Sequence, residues 1–248
     1  MRTILQKSIS ALLVSGALLT ISSCVPQGEG GQQSAAISEN ATAESSTETT
    51  AGDVQATIDG AISHDTWTDG QTSTVTFARF PATLAEWQQA QRVLGSEPQG
   101  AVALQVMAFE LFRRDPAAGR QALEQNNTST NFNSTVERLQ QLMDTKDTYY
   151  ARPYIAAALL KGATPDNGYQ PEVPYRVEMR VNPATKYQES QMLHGTVISL
   201  QVNSQGWDIN WRGVEVVKPE GQTYYVVSNC PALYTQCKQV KGSWAGLP

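Results

Sequence analysis

Five residues carry most of the chemistry open to this chain: Cys24, Cys230, Cys237, His64 and His194. A thiol beside an imidazole can become a thiolate nucleophile for acyl transfer. Cysteine and histidine also ligate zinc, but only at spacings that turn several ligands onto one ion, and these two histidines have no such spacing. No metal or cofactor is therefore expected. Cys230 and Cys237 enclose the short segment Pro231-Ala232-Leu233-Tyr234-Thr235-Gln236. In an oxidising compartment such a pair reads as a disulfide. A loop this small would add about 2 kcal/mol. No serine sits in a nucleophile elbow: in Gly242-Ser243-Trp244-Ala245-Gly246 the serine comes one place too early.

Cys24 has a different role. It follows Arg2, Lys7, an apolar run over residues 9–21 and the tetrapeptide Ile21-Ser22-Ser23-Cys24. The run is about 13 residues, too short for the roughly 20 that span a bilayer and right for a signal peptide. The small residues before the cysteine match a lipobox, so residues 1–23 read as a lipoprotein signal and Cys24 as the acylated N-terminus. The expected location is extracytoplasmic, lipid-anchored to a bacterial membrane, since two or three buried acyl chains hold a protein firmly.

Residues 24–54 are Gln, Gly, Ser, Ala, Thr and Glu with little that is large and apolar. Such a stretch cannot bury enough surface to offset its ordering entropy, so it reads as a disordered tether. Its charges are all acidic (Glu29, Glu39, Glu44, Glu48, Asp53), and its reach is about 30 Å. The whole chain has a net charge of −5; without the two basic residues of the leader and the five tether acids, the domain carries −2. Basic residues are scattered, which argues against nucleic acid as a partner.

The segment His194-Gly195-Thr196 followed by Cys230 is faintly similar to the cell-wall L,D-transpeptidases, which implies Cys–His acyl transfer. The similarity stops at Ser228-Asn229-Cys230-Pro231, which has neither His-Gly before the cysteine nor Arg after it. No catalytic residue is assigned. The aromatics point to binding instead. All nine tyrosines fall between Tyr149 and Tyr234, with Trp207 and Trp211 among them. Tyr and Trp offer rigid faces with polar tips, suited to sugars or peptides. Tyr150, Arg152, Tyr154, Tyr169 and His194 are the candidate ligand-binding residues.

The elements that must position these residues are legible from pattern. Residues 55–248 read as one α+β domain, N-terminal helices packed on a C-terminal antiparallel β-meander. A strand is predicted over 74–80. Thr83-Leu84-Ala85-Glu86 is a capping box that opens a helix ended by Gly95. Residues 101–112 are apolar nearly all round, so that helix belongs at the centre. Asp115-Pro116 starts a third helix to Gln125, and Ser134-Thr135-Val136-Glu137 a fourth to Met143. A short apolar helix runs from Pro153 to Leu160 and ends at Gly162. Alternation then predicts strands over 175–181, 196–202, 213–217 and 223–227, the last two joined at Pro219-Glu220-Gly221.

The segments Gly100-Ala101-Val102-Ala103-Leu104-Gln105, Tyr150-Ala151-Arg152-Pro153-Tyr154, Leu160-Lys161-Gly162-Ala163-Thr164-Pro165, Arg180-Val181-Asn182-Pro183 and Trp211-Arg212-Gly213-Val214-Glu215 together resemble an uncharacterised family of bacterial secreted or envelope-attached proteins. The resemblance covers about residues 77–240 and implies one fold, with no activity attached. The expected function is a membrane-anchored lipoprotein acting as a non-catalytic binding module. Its partners would be the membrane, through the lipid, and an envelope protein or glycan. The competing expectation is an envelope hydrolase or transferase built on Arg152, His194 and Asp166.

Overall fold

The computed structural model describes residues 54–60, 62, 70–128, 132–146 and 149–242. The leader, Cys24, nearly all of the tether and His64 lie outside the described residues. Two strands open the fold, β1 (Ala56–Asp59) and β2 (Thr72–Phe77). Five helices follow: α1 (Leu84–Leu94), α2 (Pro98–Arg114), α3 (Pro116–Gln125), α4 (Phe132–Met143) and the single turn α5 (Ile155–Ala158). Strands β3 (Tyr175–Val181), β4 (Tyr187–Ser190), β5 (Gly195–Asn203), β6 (Trp211–Val217) and β7 (Val226–Asn229) complete it, and Pro231–Leu233 forms a 3-10 turn.

The chain is α+β, but its helices are an insert in the sheet rather than an N-terminal block. All pairings between the strands are antiparallel, in the order β1-β2-β3-β5-β6-β7, with β4 on the edge of β5. Strand β2 pairs along its whole length with β3, from Thr72 opposite Arg180 to Phe77 opposite Tyr175. About 100 residues of helix and loop therefore lie between two neighbouring strands.

Register puts the apolar residues on one face. Val75 faces Val177, Met179 faces Val202, Val181 faces Leu200, Leu200 faces Val214, and Val216 faces both Ile198 and Val227. All are buried against the helices. Helix α2 is the axis of that core: every residue from Pro98 to Phe112 is buried, and it touches α1, α3, α5, β2, β6 and β7. Its all-round apolar sequence requires that position. Two glycines allow the close approach of its neighbours. A Cβ on Gly119 would stand 2.0 Å from the Phe112 Cα, and one on Gly100 would stand 1.8 Å from the Leu94 carbonyl oxygen.

Helices α1 and α3 start at their predicted caps, while α4 and the last strand depart from the predicted starts. Thr83 Oγ1 accepts from the Glu86 amide at 3.2 Å, while the Glu86 carboxylate accepts from the Ala82 amide and from Arg79, both at 2.7 Å. Asp115 Oδ1 caps α3 by accepting from Ala117 and Ala118. Helix α4 begins at Phe132, two residues ahead of the Ser134 capping box, because Phe132 packs on the core and carries the Arg120 guanidinium 5.2 Å from its ring centroid. The last strand starts at Val226 rather than near 223.

Candidate functional site

The structure brings three of the five candidate binding residues together and leaves two apart. The Arg152 guanidinium donates from Nε to the Cys237 carbonyl at 2.8 Å and from Nη1 to the carbonyls of Tyr149 and Ala151. Tyr169 takes a left-handed backbone (φ 59°) after the Asn167-Gly168 turn, which turns its ring inward to 3% exposure. There it stacks on Tyr154, with centroids 4.5 Å apart, and its hydroxyl donates to the Lys238 carbonyl at 2.8 Å. Arg152, Tyr154 and Tyr169 thus clasp the segment 237–240. Tyr150 is exposed, edge-on to Tyr149 at 4.7 Å. His194 is exposed in the turn between β4 and β5, at φ 50°, its carbonyl accepting from the Glu220 amide.

Arg152 and Asp166 share an open groove of about 590 Å³ with Cys237 and Lys241, but His194 does not line it. Asp166 pairs with Lys241 at 2.7 Å. The thiol there is not an activated one. Burial pushes Cys237 up to about 12, against the smaller opposing pull of the Tyr169 hydrogen bond and the charges of Arg152 and Arg212. Burial likewise pushes Cys230 up to about 12. A nucleophile needs the thiolate, so both groups are held in the unreactive form.

The disulfide expected between them is not formed: Cys230 and Cys237 are both free and buried. The 3-10 turn at Pro231–Leu233 separates them, and each sulfur meets a different partner. Gln105 Nε2 of α2 donates to Cys230 Sγ at 3.6 Å, while the Cys237 thiol meets the Tyr169 hydroxyl at 3.8 Å. The Gln105 bond continues a buried polar chain, in which Asn126 Nδ2 donates to Gln105 Oε1 at 2.9 Å and to the Ala101 carbonyl.

A second groove, of about 320 Å³, has the features of a recognition site. Its walls are Phe80, Pro153, Tyr154, Ala157, Pro171 and Tyr175, and its charged rim is Glu110, Arg113 and Arg114. Tyr175 opens β3 opposite Phe77, and Phe80 follows β2, so the paired strands hold a cluster of three rings 5.1 to 5.6 Å apart. Glu110, 7% exposed at the end of α2, fixes both arginines. It accepts from Arg113 Nε at 2.9 Å and Nη2 at 2.6 Å, and from Arg114 Nε at 2.7 Å. Arg114 also lies 5.8 Å from the Phe80 centroid. Hydrogen bonding to Glu110 raises the Arg113 pKa further, so its charge is permanent.

Two cations on one carboxylate leave a net positive rim. Among the described residues, Arg113 Nη1 and both terminal nitrogens of Arg114 have no hydrogen-bond partner. The macrodipole of α2, negative at this end, helps hold both cations in place. Of the residues proposed from sequence only Tyr154 borders this groove. The signal for the rest was present: Glu110 is the one charge inside an apolar helix, and it stands three and four residues before an arginine pair.

No curated protein and no solved structure matches the chain. Residues 79–241 match a family described as a domain of unknown function, DUF6935. That span takes in α1 to β7 and both grooves, so the chain belongs to the DUF6935 family.

Proposed function

We propose that this protein is a lipid-tethered, non-catalytic binding domain of the bacterial envelope whose aromatic groove receives an acidic peptide segment of a partner protein. The observation that carries the reading is the pair Arg113 and Arg114, fixed on one buried carboxylate beside Phe80, Tyr154 and Tyr175. Guanidinium groups with free terminal nitrogens suit bidentate carboxylate recognition. Their rotamers are already restricted by Glu110, so little ordering entropy is lost on binding. The ring walls suit an apolar side chain next to the ligand's acid. The Cys24 leader and acidic tether support a domain held off an anionic membrane surface.

Two experiments test the two halves. Metabolic labelling with an alkynyl palmitate should tag the wild-type protein and not Cys24→Ala; equal tagging of both removes the anchor. Calorimetry on residues 25–248, which contain every core residue, should detect acetylated peptides with Phe beside Asp or Glu and not their Lys counterparts. Arg114→Ala should weaken that binding about tenfold, a loss of about 1.4 kcal/mol. Equal binding by Arg114→Ala would mean that the peptide binds elsewhere than in this groove.

A further inference from the structure

The face of the sheet turned away from the helices holds a third concavity that neither groove explains. Because side chains alternate along a strand and directly opposed residues share a face, register assigns its lining. Ser199 on β5 is opposite Glu215 on β6, which is opposite Asn229 on β7. Asn182, just past β3, donates its amide N–H to the Ser199 carbonyl at 2.9 Å and so continues the same row. These four line a pocket of about 330 Å³, closed at its side by Pro231 and Ala232. Gly213 forms the floor, and a Cβ there would meet nothing within 4 Å. A shift of register between Glu215 and Val216 marks the pocket's edge, the kind of bulge that accompanies sites.

The polar groups here are unspent. Ser199 is 6% exposed, yet its hydroxyl has no hydrogen-bond partner among the described residues. Glu215 is half-buried with no ion pair or hydrogen bond to its carboxylate among them, and the Asn229 side chain has none. Asn182 Oδ1 is occupied by the Ala184 amide at 3.0 Å, which orients the side chain and leaves Nδ2 to donate. Ser199 is buried, Asn182 and Glu215 are half-buried and Asn229 is exposed, so the pocket runs from a buried hydroxyl to a solvent-facing rim and offers polar groups with hydrogen-bonding capacity to spare.

We infer that this pocket binds a neutral sugar ring. Glu215 repels anions, which removes the ligand class suited to the aromatic groove. A cation would use Glu215, the Ser199 hydroxyl and the Asn229 carbonyl oxygen but leave the Asn182 Nδ2 donor idle. Sugar hydroxyls both donate and accept, so they satisfy the carboxylate and the amides at once. The volume stands at the small end of ligand pockets, roughly 300 to 1,000 Å³. Two residues along the same face, Trp211 stands under the Arg180 guanidinium at 4.2 Å, beside the pocket floor. Two of the segments that carried the family resemblance, around Asn182 and Gly213, supply this site.

Saturation-transfer NMR on residues 25–248 tests it, with chitobiose and maltose as probes and putrescine and acetate as controls. At least one disaccharide should receive saturation and the controls none. Gly213→Leu, whose Cβ would meet no atom within 4 Å and whose branches would fill the floor, should abolish the signal at unchanged Tm. Glu215→Gln should weaken binding about tenfold, while Arg114→Ala leaves it unaltered. No transfer to either sugar, transfer to putrescine alone, or full binding by Gly213→Leu would each overturn the inference.

Discussion

Alkaline pH should destabilise this domain progressively from about pH 9 upward. Burial raises Cys230 and Cys237 from an ordinary 9.0 to about 12. In the unfolded chain both thiols ionise near pH 9, whereas the folded chain keeps both protons. A group whose pKa is raised by folding contributes its full stability below the unfolded value and loses it as pH climbs toward the folded one. Between pH 9 and 12 the folded state therefore binds two more protons than the unfolded state. Stability should fall by up to about 2.7 kcal/mol per pH unit, and each thiol accounts for about 4 kcal/mol across the window. That total rivals the 5–15 kcal/mol of a typical domain. The phenols of Tyr154, Tyr169 and Tyr234, also raised by burial, steepen the loss above pH 10. Urea titration of residues 25–248 at pH 7 to 10, followed by tryptophan fluorescence, reads the slope. Cys237→Ala should halve it between pH 9 and 10. Ellman's reagent should count two thiols per chain in urea and almost none in the folded state at pH 8. A flat profile from pH 8 to 10 would contradict burial of the two thiols, and fewer than two thiols in urea would mean that the cysteines are joined in a disulfide.

Three further perturbations follow from the packing. Gly119→Ala gains roughly 1 kcal/mol in helix propensity, but its Cβ meets the Phe112 backbone, so a net loss on the order of 2 kcal/mol should appear in urea melts. Asn126→Ala strands Gln105 Oε1 in the interior and should cost about 2–3 kcal/mol by the same assay. Arg152→Ala frees three carbonyls and should speed hydrogen exchange about tenfold at the Lys238 and Lys241 amides, which are bonded to Gly206 and Pro165. Unchanged exchange there would leave Arg152 as a ligand contact rather than a clasp.

The parts of the fold written in short-range pattern were legible. The α1 and α3 caps, the apolar run of α2 and the alternation of β3 needed no partner to be read. The strands β1 and β4 were not, for opposite reasons. β1 is four residues whose apolar members, Ala56 and Ile58, are only half-buried. β4 reads Tyr-Gln-Glu-Ser, polar and mostly exposed at an edge, and exists because β5 extends past the end of β3. Sites are harder still. The aromatic groove joins residue 80, the end of α2, residues 153–157 and 171–175, and only the pairing of β2 with β3 across the helical insert brings them together. The cysteine spacing described a loop length and carried no information about which way each sulfur turns.

A titration of the isotope-labelled chain with acetyl-Phe-Asp peptide tests the Arg113–Arg114 groove directly. The predicted result is a saturable, salt-sensitive set of shifts at Phe80, Arg113, Arg114, Tyr154 and Tyr175, lost in Arg114→Ala. Shifts that do not saturate, or that gather at the exposed Tyr149–Tyr150 pair instead, would contradict it.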